Sequence, residues 1–263
     1  AAKTPVPATA EAAVASLAGK LDSLAGCFAA GMIPTGSADP YALRRQALGL
    51  MRIVLEKQLP LDLEAALAHA AALQPVAVAQ PAKLTAQLSD FLWGRASALF
   101  SEMNYAVDEI RSVRAGALKD VPNAFRRLAA LRAVRRDPAF EPLAAAFKRA
   151  SNILKQSPGE GDGALDRALL QDRAELDLYD ALVAAESAAN DRIVRGDFEG
   201  GLKSLVSVKP HLDAFFGKVM VMVENGILKR QRLALLRKLV RAFCRVADLS
   251  EIQASALTDS RTS

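Results

Sequence analysis

The sequence predicts an all-α fold. Hydrophobic residues make up 51% of the 263-residue chain and aromatic residues only 5%, with alanine and leucine dominant, a composition that favours close helix packing. Apolar residues follow the 3.6-residue helical period almost everywhere, and no convincing strand-like alternation interrupts it. The predicted helices cover 11–30, 39–57, 62–73, 83–103, 105–115, 122–136, 138–156, 174–195, 197–207, 210–223 and 226–247.

Local signals indicate where helices start and where the chain divides. Asp39-Pro40 and Asp137-Pro138 both fit an N-cap aspartate followed by proline at the first helical position. The segment 73–83 has two prolines and no clear period, so it is the best linker. The sequence therefore predicts a first domain over 1–80 and a second over 81–263.

Charge is distributed in blocks along the chain. Residues 111–155 carry eleven Lys/Arg against three Asp/Glu, whereas 157–189 carry two against eight. The helix predicted over 226–247 has seven basic residues and no acidic one. Such blocks favour basic faces that meet a polyanion and an acidic face that points elsewhere. Ordinary solvated helix faces are the alternative interpretation.

The chain lacks the side-chain sets of common catalytic sites. It has two histidines and two cysteines, too few for a histidine-rich metal site or a disulfide framework. No nucleophile elbow, P-loop or dinucleotide fingerprint occurs. We therefore expect no catalytic residue, no metal site and a reducing, cytoplasmic location. No apolar run approaches the roughly 18–20 residues of a membrane span, so no membrane partner is expected.

Two arginines fall on apolar helix faces and are predicted to be structural. Arg44 lies on the apolar side of the helix over 39–57, and Arg232 on the core stripe of the helix over 226–247. A buried guanidinium needs a carboxylate or several carbonyls as partners. The candidate partners are Asp22 and Asp39 for Arg44, and Asp213 and Glu224 for Arg232.

Other basic residues fall on predicted solvent faces. Arg45 and Arg52 flank Gly49, which would let an RNA backbone come close; an Arg52–Glu56 surface pair is the alternative. Guanidinium and ammonium groups bind phosphate, and asparagine can read an unstacked base, so these faces suit RNA. The other candidate RNA contacts are Arg126, Arg127, Lys148, Lys155, Arg230, Arg237, Lys238, Arg241 and Arg245, with Asn152 as the candidate base reader.

Four stretches resemble a known family. They are "LAGKLDSLAGCFAAGMIPTGSADPYALRRQALGLMRIVLEKQLPLDL" (17–63), "AFKRASNIL" (146–154), "YDALVAAES" (179–187) and "HLDAFFGKVMVMVENGILKRQRLALLRKLVRAFCRVADLSEIQ" (211–253). Together they look like the C-terminal part of the beta subunit of bacterial heterotetrameric glycyl-tRNA synthetase, in order and over essentially the whole chain.

The resemblance implies the end of an HD-type helical domain over 1–80, followed by a DALR-type anticodon-binding helical bundle. It implies tRNA(Gly), the alpha subunit and the rest of the beta subunit as partners. ATP and Mg²⁺ would act at the alpha subunit, with no cofactor here. Its recognisable basic positions include Lys148 and Arg149. Only Asp22 matches the aspartate-histidine set of an HD phosphohydrolase, so the resemblance does not imply a metal-dependent hydrolase.

The sequence thus predicts a non-catalytic tRNA-binding part of glycine–tRNA ligase. Its last helix and the 122–156 region would hold the anticodon arm through phosphate contacts. The alternatives are a helical scaffold that docks an acidic protein partner, and a degenerate HD phosphohydrolase that binds metal.

Overall fold

The computed structural model describes residues 5–74 and 80–253, and these are helical without any β-strand. The all-α prediction is confirmed, and each of the eleven predicted helices has a counterpart. The helices are α1 (Ala10–Ala29), α2 (Leu43–Glu56), α3 (Leu63–Ala72), α4 (Pro81–Glu102), α5 (Val107–Ser112), α6 (Val121–Val134), α7 (Phe140–Gln156), α8 (Arg173–Val194), α9 (Phe198–Val206), α10 (Lys209–Lys218) and α11 (Gly226–Cys244).

Helix α10 ends at Lys218, although its prediction extends to residue 223. Val219 is already extended (φ −108°, ψ 121°). Val219 and Val221 are buried, while Met220 and Met222 between and after them are exposed. Buried valines therefore alternate with exposed methionines. This two-residue period is that of an extended chain and not of a helix, so the helix ends before it.

Asp39 caps α2 from further upstream than predicted. Its carboxylate accepts hydrogen bonds from the backbone N–H groups of Leu43 (2.7 Å) and Arg44 (3.0 Å). The N-cap position itself is Ala42, in the left-handed conformation (φ 52°). Pro40 therefore lies in the preceding turn, and the prediction that it occupies the first helical position is wrong. The carboxylate still satisfies first-turn donors that have no partner within the helix.

Asp137 acts similarly in front of α7. Its carboxylate accepts from the N–H of Ala139 (2.8 Å), which is the N-cap residue. Its backbone carbonyl accepts from the N–H of Phe140 (2.9 Å). Pro138 is thus also outside the helix, contrary to the prediction, and the turn supplies the hydrogen bonds instead.

Removing the Asp39 carboxylate gives a testable effect. The Asp39→Ala variant is expected to lose about 1 kcal/mol of unfolding free energy because two first-turn N–H groups lose their acceptor. Chemical denaturation measures this loss. Asp39→Asn is the matched control, since asparagine also caps well. An alanine variant as stable as the asparagine variant contradicts the capping role.

The first compact unit comprises Ala1–Ile110 and Arg114–Arg126. Helix α1 packs on α2, α3 and α4, and α4 packs on α2 and α3. The rings of Phe28 and Phe91 lie 5.1 Å apart in this core. The fully buried side chains include Leu24, Leu43, Leu50, Met51, Leu63, Leu67, Leu88 and Phe100.

By these contacts α4 groups with α1–α3, whereas the sequence places a division between residues 80 and 81. Leu84, Leu88 and Leu92 of α4 are buried in the first unit, which is why contacts assign the helix there. Part of the predicted linker 73–83, residues 75–79, lies outside the described residues.

Helix α1 is the one helix in the described ranges that is long and apolar enough to cross a membrane by length and composition. The sequence expectation that no such run exists is corrected in this respect. Ala13, Leu17, Leu24, Ala25 and Phe28 are buried against neighbouring helices. Through these contacts one side of α1 contributes to the core of the first unit.

The second compact unit comprises Arg111–Val113 and Arg127–Ser263. Helix α11 packs on α7, α8 and α9, while α8 also packs on α9 and α10. Phe147 of α7 and Phe243 of α11 meet edge to face, with ring centroids 5.6 Å apart. Ten of the nineteen residues of α11 are buried, so the most basic helix of the chain is also a core helix of its unit.

Candidate nucleic-acid interface

Helix α11 is largely neutralised by carboxylates of its own unit. Four of its six basic side chains pair with acidic residues of the segment 157–189. Sequence reasoning predicts that the acidic block points elsewhere, and this is wrong, because α8 and the loop before it pack on α11 and bring opposite charges together. The pairs are Lys229–Glu160 (2.8 Å), Arg237–Asp162 (2.8 Å), Lys238–Glu186 and Arg232–Glu175.

The Arg232–Glu175 pair is buried. Glu175 is 0% exposed and Arg232 8%, and Arg232 also donates to the carbonyl of Met220 (2.7 Å). The second carboxylate oxygen of Glu175 accepts from the N–H groups of Gln171 (2.7 Å) and Asp172 (3.0 Å), within the capping box of α8. Arg232 is therefore a structural buried arginine as predicted, but its partner is Glu175.

Arg237 and Lys238 do not lie on a bare basic face. The side chain of Arg237 is 21% exposed, and besides Asp162 it donates to the carbonyl of Glu160 (2.7 Å). Lys238 is 31% exposed and pairs with Glu186. The prediction of a face with no interleaved acid is wrong, and a phosphate that contacts either cation has to compete with a carboxylate.

Two predicted arginines of α11 and the C-cap arginine that follows it are solvent-exposed. These residues are Arg230, Arg241 and Arg245. Arg245 donates to the side-chain oxygen of Asn190 (2.8 Å). Arg230 and Arg241 have no ion-pair partner within residues 5–74 and 80–253.

Helix α7 carries an open polar stripe. Lys148, Asn152 and Lys155 are exposed, and their spacing puts them on one side of the helix. None of these side chains forms an ion pair or hydrogen bond with another residue in the described part of the chain. We call these three residues the α7 stripe.

Arg149, next to the α7 stripe, is exposed and positioned by an aromatic ring. Its guanidinium carbon lies 4.4 Å from the ring centroid of Phe216 on α10, a cation–π distance. The family resemblance indicates Arg149 as a recognisable basic position. The sequence does not predict its contact with Phe216, because the two residues are far apart in the chain.

Arg127 is buried, and its predicted role as a surface contact is wrong. It is 8% exposed, and its guanidinium donates to the carbonyls of Val113 (3.4 Å) and Val246 (3.5 Å) within the second unit. Arg126 is exposed and belongs to the first unit. Neighbours on a helix point about 100° apart, so an "RR" pair seldom acts as one patch.

Arg44 is half-buried rather than buried. Its guanidinium donates to the carbonyl of Ala38 (3.5 Å), and Asp39 binds its backbone N–H rather than its side chain. The predicted carboxylate partner is therefore wrong. Because Arg44 lies in the first turn of α2, its side chain reaches the preceding loop and stays partly hydrated.

The stripe around Gly49 differs from its prediction. Arg45 is exposed, but Arg52 pairs with Glu56 (2.9 Å), as in the alternative interpretation. A methyl group added at Gly49 would lie 3.2 Å from Cε of Lys20. The side chain of Lys20 therefore already occupies the space that the sequence assigns to an RNA backbone.

No group of three or more His, Cys, Asp or Glu side chains that could hold a metal occurs in the described ranges. Burial raises the pKa of the Cys244 thiol to about 11, so this thiol is protonated at neutral pH.

Comparison with known proteins identifies both halves of the chain. Residues 143–254 match a family model described as "DALR anticodon binding domain". This match groups the second half of the all-helical chain with anticodon-binding domains. Residues 1–115 match a model described as "Glycyl-tRNA synthetase beta subunit". The chain belongs to the glycyl-tRNA synthetase beta subunit family, which confirms the resemblance found in the sequence.

Several curated relatives carry the name glycine–tRNA ligase beta subunit. The protein of Nitrosomonas eutropha is 42% identical over 254 residues, which cover 91% of this chain and 35% of that protein. The protein of Geobacter metallireducens is 40% identical over 95% of this chain and 36% of its own length. That of Dechloromonas aromatica is 42% identical over 92% and 34%. The chain thus spans about a third of the length of these relatives.

Proposed function

We propose that this chain is the tRNA-binding part of a glycine–tRNA ligase beta subunit and holds the anticodon arm through phosphate contacts. The observation that supports this most is the α7 stripe, which lies inside the segment that matches an anticodon-binding domain. Its two lysines are exposed and have no ion-pair partner among residues 5–74 and 80–253. Lysine side chains that neutralise phosphates release the counterions condensed on the nucleic acid, and this release supplies affinity.

In this proposal Arg149, Arg230, Arg241 and Arg245 extend the phosphate contacts, and Asn152 reads a base edge. Arg45, Arg52 and Arg126 of the first unit contact other parts of the tRNA. Arg237 and Lys238 contact an RNA phosphate only if that phosphate displaces their carboxylate partners.

Chemistry is assigned to the partner subunit. The relatives are named as ligase subunits, and we propose that ATP and Mg²⁺ act at the alpha subunit. The described residues of this chain supply no clustered ligand set for a metal. The proposed partners are tRNA(Gly), the alpha subunit and the rest of the beta subunit, in the cytoplasm.

Salt-dependent binding tests the phosphate contacts. For the Lys148→Ala/Lys155→Ala variant, the slope of log affinity for tRNA(Gly) against log salt is expected to fall by about two, one per lost phosphate contact. Filter binding or fluorescence anisotropy over a salt series measures it.

The matched control is Arg173→Ala/Lys203→Ala. Both residues are exposed in the same unit, and each already pairs with a carboxylate, Asp177 or Glu199. This control should keep the wild-type slope. Equal slopes for the two double variants argue against the α7 stripe, and a wild-type chain that ignores tRNA altogether favours the acidic-partner scaffold.

A further inference from the structure

A cavity of about 440 Å³ opens between α11, α8 and the loop that precedes the 3₁₀ turn Arg167–Leu169. Its wall includes the loop residues Asp162 and Gly163, Glu186 of α8, and Lys238 and Arg241 of α11, together with Arg237. Its volume lies within the roughly 300–1,000 Å³ of small-ligand pockets. We call it the loop cavity.

The loop wall of this cavity is anchored at both ends on α11. On one side Glu160 binds Lys229 through its carboxylate (2.8 Å) and Arg237 through its carbonyl (2.7 Å). On the other side Gln231 donates to the carbonyl of Ala164 (3.3 Å) and accepts from the N–H of Asp166 (2.8 Å). The cavity is therefore preformed.

Gly161 seats the middle of the loop. It is buried with φ +79°, and a methyl group there would lie 2.7 Å from Cβ of Leu233 and 2.9 Å from the backbone nitrogen of Ala234. Only a residue without a side chain allows this approach of loop backbone to helix backbone. The loop thus forms a fixed wall over the cations of α11.

The cavity alternates acceptors and donors. Asp162 and Glu186 supply carboxylate oxygens, while Arg237 and Lys238 beside them supply N–H groups. Arg241 is exposed at the same cavity and has no ion-pair partner in the described part of the chain. Two carboxylates repel a bare phosphate, and a wall with five charged groups disfavours an apolar ligand.

This pattern matches one edge of a nucleobase together with one phosphate. A carboxylate accepts from an exocyclic amino group, a neighbouring cation donates to a ring nitrogen or carbonyl, and Arg241 binds the phosphate. RNA is read mainly through unpaired bases that leave the stack. We propose that the loop cavity binds a single unpaired nucleotide whose base carries an amino group. This inference rests on the proposed RNA-binding function and adds a base-reading site to it.

The test replaces the two carboxylates by amides of the same shape. The resulting change in RNA affinity and base preference separates two mechanisms. If carboxylates only repel RNA, Asp162→Asn/Glu186→Gln tightens binding of every sequence. If they accept from an amino group, the variant loses about tenfold in its preference for oligo(C) or oligo(A) over oligo(U). Competition binding with these short single-stranded RNAs measures the preference for the wild-type chain and the variant.

The control Asp180→Asn removes a carboxylate of α8 that pairs with Arg167 (2.7 Å) and does not line the cavity. It should leave the base preference unchanged. Equal affinity of the wild-type chain for all three RNAs, or tighter binding by the double variant without a change in preference, overturns the cavity proposal while leaving tRNA binding intact. The cavity proposal is supported if the double variant keeps the tRNA salt slope of the wild-type chain but loses its base preference, while Asp180→Asn keeps both.

Discussion

The Glu175→Ala variant is expected to lose about 3–5 kcal/mol of unfolding free energy. Glu175 is fully buried and is the carboxylate partner of the buried Arg232. Its removal leaves a guanidinium in the core whose remaining acceptor, within residues 5–74 and 80–253, is the carbonyl of Met220. It also removes the acceptor for two N–H groups at the start of α8. Chemical denaturation followed by circular dichroism measures the loss.

Two further variants separate the causes. Glu175→Gln keeps an oxygen for the helix cap but removes the charge, so its stability should fall between wild type and the alanine variant. Asp180→Ala breaks the exposed pair with Arg167 and should change stability little, as for most surface ion pairs. A Glu175→Ala chain as stable as Asp180→Ala refutes a structural role for the buried pair.

Gly161→Ala is expected to cost about 2–5 kcal/mol of unfolding free energy at the loop. The left-handed backbone costs an alanine about 1–2 kcal/mol, and the collision with Leu233 and Ala234 adds about 1–3 kcal/mol. The least expensive response is for the loop to leave α11. Hydrogen exchange of residues 158–166 should then speed up.

Gly159→Ala is the matched control for backbone strain alone. Gly159 also has positive φ (+77°), but a methyl group there meets no atom within 4 Å. Its exchange should change much less. If Gly161→Ala lifts the loop, Arg237 and Lys229 lose their partners, so affinity for RNA of any sequence should rise while base preference falls. Identical exchange in the two variants contradicts the seating of the loop by Gly161.

The fold was predictable because it depends on periodicity. The apolar period placed every helix, and the failures arose where local hydrogen bonds or short extended stretches competed with it. Asp39 illustrates the first case, since a carboxylate can reach first-turn donors from outside the N-cap position. Val219 illustrates the second, since alternating burial ended α10 early.

The site was predictable only in part, because a helical projection gives the side of a helix and not what packs there. It placed Lys148, Asn152 and Lys155 on one exposed side of α7. It missed that Glu160, Asp162 and Glu186 come from a distant segment to pair with α11. The opposite net charges of 157–189 and 226–247 were the available signal, and charge blocks alone do not specify which segments meet.

The ion pairs that α11 forms with α8 and with the loop before α8 also bear on selectivity among polyanions. A helix with six bare cations would attract DNA, polyphosphate and acidic proteins alike. Here the chain supplies its own carboxylate to four of them, so an incoming anion gains there only if it binds better than an aspartate or glutamate already in place. Discrimination then depends on differences between competing ligands, and excess positive charge contributes little to the choice of partner at those four positions.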